Sequence, residues 1–358
     1  MSEIMMFALG IIALVLGAEA LVRGASKLAL SFGISPLVVG LTVVAFGTSA
    51  PETTVSVSAV LSGQTDIAVG NVVGSNIFNV LFILGIAALV IPLSVNAQVI
   101  RQEVPMMIGA SALLLVFILD QRVSFFESAF LFSLLIAYTV FLVIQSRQQS
   151  SVVQDEYASE LKPSAQTAWD GKLPVQIVLV IGGLALLILG SRWLVEAATG
   201  FARELGISEL VIGLTIVAAG TSLPEVAASL SAAIKGERDI AVGNVIGSNL
   251  FNILGCVGAA GLASGFEGLA IGPAVVTFDI WIMLAVALAC LPIFISGREI
   301  ARWEGGLFLG YYAAYVGYLI LAAQQHDQLQ AYSSVMLSFV VPITIVTLIV
   351  SSTRSQKS

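Results

Sequence analysis

Ala45-Phe46-Gly47-Thr48-Ser49-Ala50-Pro51-Glu52 returns 173 residues later as Ala218-Ala219-Gly220-Thr221-Ser222-Leu223-Pro224-Glu225. The same offset holds without a gap from residues 33–85 to 206–258, where 33 of 53 aligned positions are identical. Shared hydrophobicity does not produce that much identity, so the chain carries a duplicated unit. Around it the 358 residues are 58% hydrophobic and only 10% charged, with a mean hydropathy of +1.01. An ordinary soluble domain is about 25% charged, so soluble enzymes and DNA-binding proteins are excluded. A helix crossing the bilayer needs about 20 apolar residues. Apolar runs fall near 4–22, 36–61, 67–91, 104–119, 124–144, 175–195, 210–234, 240–262, 274–295, 305–323 and 335–350, the last being short for a span.

Five runs separate equivalent points of the two copies. An odd number inverts the second copy in the membrane, and inverted repeats place a binding site near the midplane where they meet. The reading is an all-α integral membrane protein of two inverted five-helix repeats, a ten-helix body that an eleventh C-terminal run can extend. Its parts are a first repeat at 1–145, a cytoplasmic linker at 146–172 rich in Gln, Ser and Glu, a second repeat at 173–323 and an extension at 324–358. With the N-terminus outside, 12 of the 15 Lys and Arg fall in cytoplasmic loops and 3 outside. The positive-inside rule therefore sets the chain N-out. The first run follows an acidic Glu3 rather than a basic region, so it reads as a retained helix and not a signal peptide.

Two repeated blocks bring polar atoms to membrane depth. Pro51 and Pro224 lack an N–H and release the carbonyls of Gly47 and Gly220. Thr48 and Ser49 precede Glu52 by four and three residues, which predicts hydroxyls and carboxylate on one helical face. The second block, Gly70-Asn71-Val72-Val73-Gly74-Ser75-Asn76-Ile77-Phe78-Asn79, returns as Gly243-Asn244-Val245-Ile246-Gly247-Ser248-Asn249-Leu250-Phe251-Asn252. Asn71, Ser75 and Asn79 form a stripe, and Gly70 with Gly74 offers a surface for close helix approach. Intramembrane carboxylates default to function. Glu52 and Glu225 together would repel, and a divalent cation cancels both charges. Calcium takes 6–8 oxygen ligands, and no imidazole or thiolate is on offer for zinc or copper. Sodium accepts similar cages and competes for the same atoms.

Plainer roles stand beside these. Asn79 and Asn252 can be interhelical hydrogen-bonding groups. Asn71, Asn76, Asn244 and Asn249 can satisfy backbone freed by helix breaks. Asp66 and Asp239 precede spans as N-caps, while Asp279 has no partner in the repeat. Cys256 and Cys290 read as small packing residues. The single histidine, His326, lies in a polar patch, so no zinc or triad chemistry is available.

The paired GTSxPE and GNxxGSNxFN blocks resemble the α-repeats of the cation/calcium exchanger superfamily, most closely its prokaryotic sodium/calcium exchanger branch. That resemblance implies a secondary antiporter exchanging sodium for calcium by alternating access, with no cofactor and no enzymatic activity. Carried over by position, the ion ligands are the Ala45 carbonyl, Thr48, Ser49, Glu52, Ser75 and Asn79, with the Ala218 carbonyl, Thr221, Ser222, Glu225, Ser248 and Asn252. The first helix of each half, 4–22 and 175–195, is implied to be the sliding gate. Some members carry aspartate at one of the positions held here by Asn79 and Asn252, so the site has only two formal charges. The expected partners are the lipid bilayer, calcium and sodium, with no nucleic acid, in a monomer of the plasma (inner) membrane. Proton/calcium or potassium-dependent exchange is the alternative coupling, and a cation channel the alternative class.

Overall fold

In the computed structural model, which describes residues 3–160, 169–207, 209–345 and 347, the chain is helical almost throughout. Lipid offers no partner to a backbone N–H or C=O, so a spanning segment must close its own hydrogen bonds as a helix. The rods are α1 (Glu3–Phe32), α2 (Pro36–Thr48), α3 (Ala50–Leu61), α4 (Ile67–Val90), α5 (Val99–Phe117) and α6 (Phe125–Glu160) in the first half. The second half has α7 (Leu173–Glu204), α8 (209–220), α9 (Leu223–Ile234), α10 (Arg238–Ala263), α11 (Val275–Ile295) and α12 (Arg302–Ala323), followed by α13 (Leu329–Ile345). Among the described residues eight helices are long and apolar enough to cross a membrane, and α2 with α3 makes a ninth span bent by 42°. Helix α9 is too short to cross alone; with α8 it repeats the α2–α3 pair.

The bends have a local cause. Ser49 (φ −82°, ψ 8°) and Ser222 (φ −90°, ψ 7°) leave the helical region. Pro51 and Pro224 then sit in the first turn of the next helix, where a missing N–H costs nothing. Wider π-helical turns recur at matching places in both halves: Gly40–Val44 with Gly213–Val217, Asn79–Leu84 with Asn252–Cys256, and Val99–Glu103 with Val275–Asp279. Two short strand pairs join the halves. Strand β1 (Leu93–Ser94) runs antiparallel to β4 (Glu299–Ile300), and β2 (Arg122–Val123) to β3 (Leu269–Ala270).

Helices α4 and α10 form the centre: the most apolar stretches of these spans are 78% and 94% buried, against 33% and 28% for α1 and α7. The last two pair with each other through a glycine seam. A Cβ on Gly10, Gly17 or Gly24 would lie within about 3 Å of α7 at Gly190, Gly183 and Gln176, as would one on Gly183 or Gly190 against α1. Seven-residue spacing of Gly10, Gly17 and Gly24 was the signal for this pairing, and hydrophobicity alone hides it.

Several expectations shift. Helix α6 continues to Glu160, so the polar linker begins as helix, and 161–168 lie outside the described residues. The eleventh apolar run falls in α13, shorter than a span, while 346 and 348–350 lie outside the described residues. Glu237, not Asp239, occupies the N-cap position of α10, and Asp239 sits in the first turn, where a negative charge favours the helix dipole. Gln64 occupies the cap before α4, and the side chain of Asp66 lies outside the described residues. Asp279 does have a repeat partner. It accepts a hydrogen bond from Tyr315 at 2.9 Å as Glu103 does from Tyr138 at 2.6 Å, and the offset here is 176 because three residues are inserted after the ungapped block.

Candidate cation site between the two repeats

The helix breaks carry Glu52 and Glu225 into the interior, where both are fully buried. Each carboxylate is held by the other half. Ser222 donates to Glu52 Oε1 at 2.9 Å, and Ser49 donates to Glu225 Oε1 at 3.0 Å. Ser49 carries the bend between α2 and α3, and its hydroxyl pairs across the repeat boundary with Glu225. Ser75 joins through Ser222, with 3.3 Å between the hydroxyl oxygens. Thr48 lies 3.0 Å from the Val44 carbonyl and 3.1 Å from Asn244 Oδ1.

The asparagines divide into two sets. Asn71 donates to the Glu52 carbonyl and to Ser56, and Asn244 to the Glu225 carbonyl and Ser229. Those two brace the helix after each break, which is the plainer of their two roles. Asn79 and Asn252 are fully buried and reach across to Asn249 and Asn76, each at 3.0 Å. Among the described residues, eight buried side-chain oxygens lack a hydrogen-bond partner. Five of them belong to this cluster: Glu52 Oε2, Glu225 Oε2, Asn79 Oδ1, Thr221 Oγ1 and Ser248 Oγ. A buried unpaired polar group costs about 1–3 kcal/mol, and more when charged. Such a concentration of buried hard oxygens is suited to a desolvated cation with oxygen preference. The pairing also shows where one released carbonyl goes: Ser191 of α7 donates to Gly220 at 2.6 Å. The counterpart of Ser191 in the first half is Ala18, so α1 offers no such hydroxyl.

The halves match in sequence but not in packing. A Cβ on Gly247 would lie 2.6 Å from the Leu41 carbonyl and 2.9 Å from Ala45 Cβ, and one on Gly40 3.0 Å from the Ile240 carbonyl. Thus α2 is closed on α10. Among the described residues nothing lies within 4 Å of a Cβ on the counterparts Gly74 and Gly213, and Gly70 meets only Val275 at 3.8 Å. Val44 and Ala45 are buried, whereas Val217 is 48% exposed and Ala218 is exposed. Among the described residues the close approach expected from Gly70 and Gly74 is therefore seen only in the second copy. Of the twelve expected residues, Ala218 alone lies at an open surface.

Comparison with known proteins places the chain in a family. The family described as Sodium/calcium exchanger protein matches residues 2–144 and 175–321. The sodium/calcium exchanger MaX1 of Methanosarcina acetivorans is 33% identical over 337 residues, covering 86% of this chain and 95% of MaX1. The inner membrane protein YrbG of Escherichia coli K12 is 41% identical over 281 residues, covering 78% of this chain and 84% of YrbG. A solved structure of the sodium-calcium exchanger NCX_Mj, soaked with zero sodium and calcium, superposes with a TM-score of 0.74 at 30% identity, covering 88% of this chain and 98% of that one. The chain belongs to the sodium/calcium exchanger protein family, as a multi-pass membrane protein that carries out cation/calcium antiport and needs no cofactor.

Proposed function

We propose that sodium entry drives calcium through the cage formed by Ala45, Thr48, Ser49, Glu52, Ser75 and Asn79 with Ala218, Thr221, Ser222, Glu225, Ser248 and Asn252. The observation that carries this reading is the set of unpartnered oxygens around two carboxylates crosslinked between the repeats. Two formal negative charges match one divalent ion, and monovalent sodium ions compete for the same donors. The asymmetry supports alternating access at one site: among the described residues the glycine contact that closes α2 on α10 is open at its repeat-related counterpart. On the N-out reading that opening faces the exterior, and the helix pair α1–α7 is the element that slides. The working unit is a monomer of the inner membrane, with repeats at 1–145 and 173–323.

The test is calcium flux in proteoliposomes under imposed sodium, potassium or proton gradients. Sodium alone should drive calcium uptake, with no potassium requirement because Asn79 and Asn252 are uncharged. Calcium flux that runs on a proton gradient without sodium overturns the coupling, and flux independent of any counter-ion gradient overturns antiport in favour of a channel.

A further inference from the structure

We propose that Asn76 and Asn249 are positioning residues that set which face of the Asn252 and Asn79 amides is turned to the ion. The inference rests on the reading of Asn79 and Asn252 as ligands and assigns a task to two residues outside that ligand set.

An asparagine amide has one oxygen and one NH₂ of nearly the same shape. Only the oxygen attracts a cation, so a ligand asparagine must be prevented from turning over. At the crossing of α4 and α10, Asn76 Nδ2 donates to the Asn249 carbonyl at 3.2 Å, and Asn249 Nδ2 donates to the Asn76 carbonyl at 3.4 Å. A backbone carbonyl can only accept, so these two contacts fix the NH₂ of each residue. The oxygen of each must then point the other way, where it accepts: Asn249 Oδ1 from Asn79 Nδ2, and Asn76 Oδ1 from Asn252 Nδ2, each at 3.0 Å. That in turn fixes the NH₂ of Asn79 and Asn252 and leaves their oxygens on the opposite side. Asn79 Oδ1 is buried there with no partner, and Asn252 Oδ1 has Cys256 Sγ at 3.5 Å. The orientation is thus passed from a carbonyl that cannot flip, through one amide, to another.

Both carbonyls belong to the turn where the helix changes from α to π, at Asn79 and Asn252, whose own N–H groups also lean on them. Asn249 Nδ2 has Met107 Sδ as a further neighbour at 3.4 Å. All four asparagines are at most 2% exposed, so bulk water does not relax the choice. The same relay occurs in both halves.

A residue that merely clamps α4 to α10 would give a different mutational pattern from one that orients a ligand. The experiment measures equilibrium binding of calcium alone to the purified full-length protein. Asn249→Leu keeps the shape and removes the acceptor, freeing the Asn79 amide to present its NH₂. Calcium affinity should fall by about tenfold or more, the scale of losing one well-made polar contact. In an Asn79→Asp background both terminal atoms are oxygens and there is no face to choose. Adding Asn249→Leu there should change affinity by less than about twofold relative to Asn79→Asp alone, within the scatter of independent sites. Asn76→Leu with and without Asn252→Asp gives the mirror test and supplies the answer if the first pair does not fold. Equal losses in both backgrounds overturn positioning in favour of a helix clamp, and no loss in either overturns any role. An unmodified protein that binds no calcium overturns the ligand reading, and this inference with it.

Discussion

Glu52 and Glu225 are fully buried carboxylates, and each accepts a hydrogen bond from a hydroxyl of the opposite repeat. Replacing either by Gln keeps the shape and deletes half of the compensating charge. Removing one partner of a buried charge pair costs about 3–5 kcal/mol, or roughly two to four orders of magnitude in affinity. Glu52→Gln and Glu225→Gln should therefore abolish calcium flux in proteoliposomes while inserting normally; near-normal flux in either would remove it from the ligand set. A second carboxylate is built for a different purpose. Asp170, before α7, receives Arg23 Nε at 2.7 Å, and that hydrogen bond, with the charges of Arg23 and Lys27, holds its carboxyl below the usual aspartate range. A carboxyl lowered in the folded state contributes stability above its unfolded value of about 3.9 and loses it as pH falls through the lowered one. Thermal unfolding of the protein should accordingly weaken below pH ~4, and Asp170→Asn should flatten that part of the profile. An unchanged profile would show that the contact between α1 and the end of the linker carries no stability.

Helix pairs, rather than single helices, are the elements that differ between the halves, and glycine reports the difference. Gly247 is pressed against Leu41, whereas Gly74, its repeat-related counterpart, has open space among the described residues. Gly74→Ala should therefore fold and bind calcium as the parent does, yet obstruct the opposite state, in which α8 closes on α4. Overpacking of this kind costs about 1–3 kcal/mol, so exchange should slow by roughly five- to 150-fold with calcium affinity unchanged. Gly247→Ala should instead destabilise the arrangement seen here. Equal behaviour of the two variants in flux and thermal stability would argue against a two-state exchange of contacts. The repeat and the two blocks that hold the buried polar cluster were legible in the sequence, because 33 identities over 53 positions are visible without coordinates. It could not carry the crossing of Ser49 to Glu225, which depends on a backbone bend, nor the open face of α8, since both copies contain the same glycines. The kinship of Asp279 with Glu103 was hidden by three inserted residues, and only the matching tyrosines and π-helical turns restore it.

Across the whole molecule, the two strand pairs fix the parity of the chain. Strand β1 meets β4 and β2 meets β3, so each pair must lie on one side of the membrane. Between β1 and β4 run α5, α6, α7, the α8–α9 pair, α10 and α11, an even number of crossings only if α8 and α9 together make one span. If they did not cross, β1 and β4 would end on opposite sides and could not pair. The same count between β2 and β3 again requires that span, and β1 and β2 lie one crossing apart, on opposite sides. Inversion of the second repeat thus follows from contacts as well as from the odd spacing of the apolar runs. Absolute direction comes from the basic residues, 12 of 15 of which fall inside when the N-terminus is outside. Gln64, before α4, and Asn96, beside β1, are both exposed. In a background without Cys256 and Cys290, Gln64→Cys should react with an impermeant maleimide on intact cells, and Asn96→Cys only after permeabilisation. The reverse pattern would overturn the N-out direction while leaving the inversion intact. Reaction of both from the same side would break the parity, and with it the reason for placing the two carboxylates in one midplane cage.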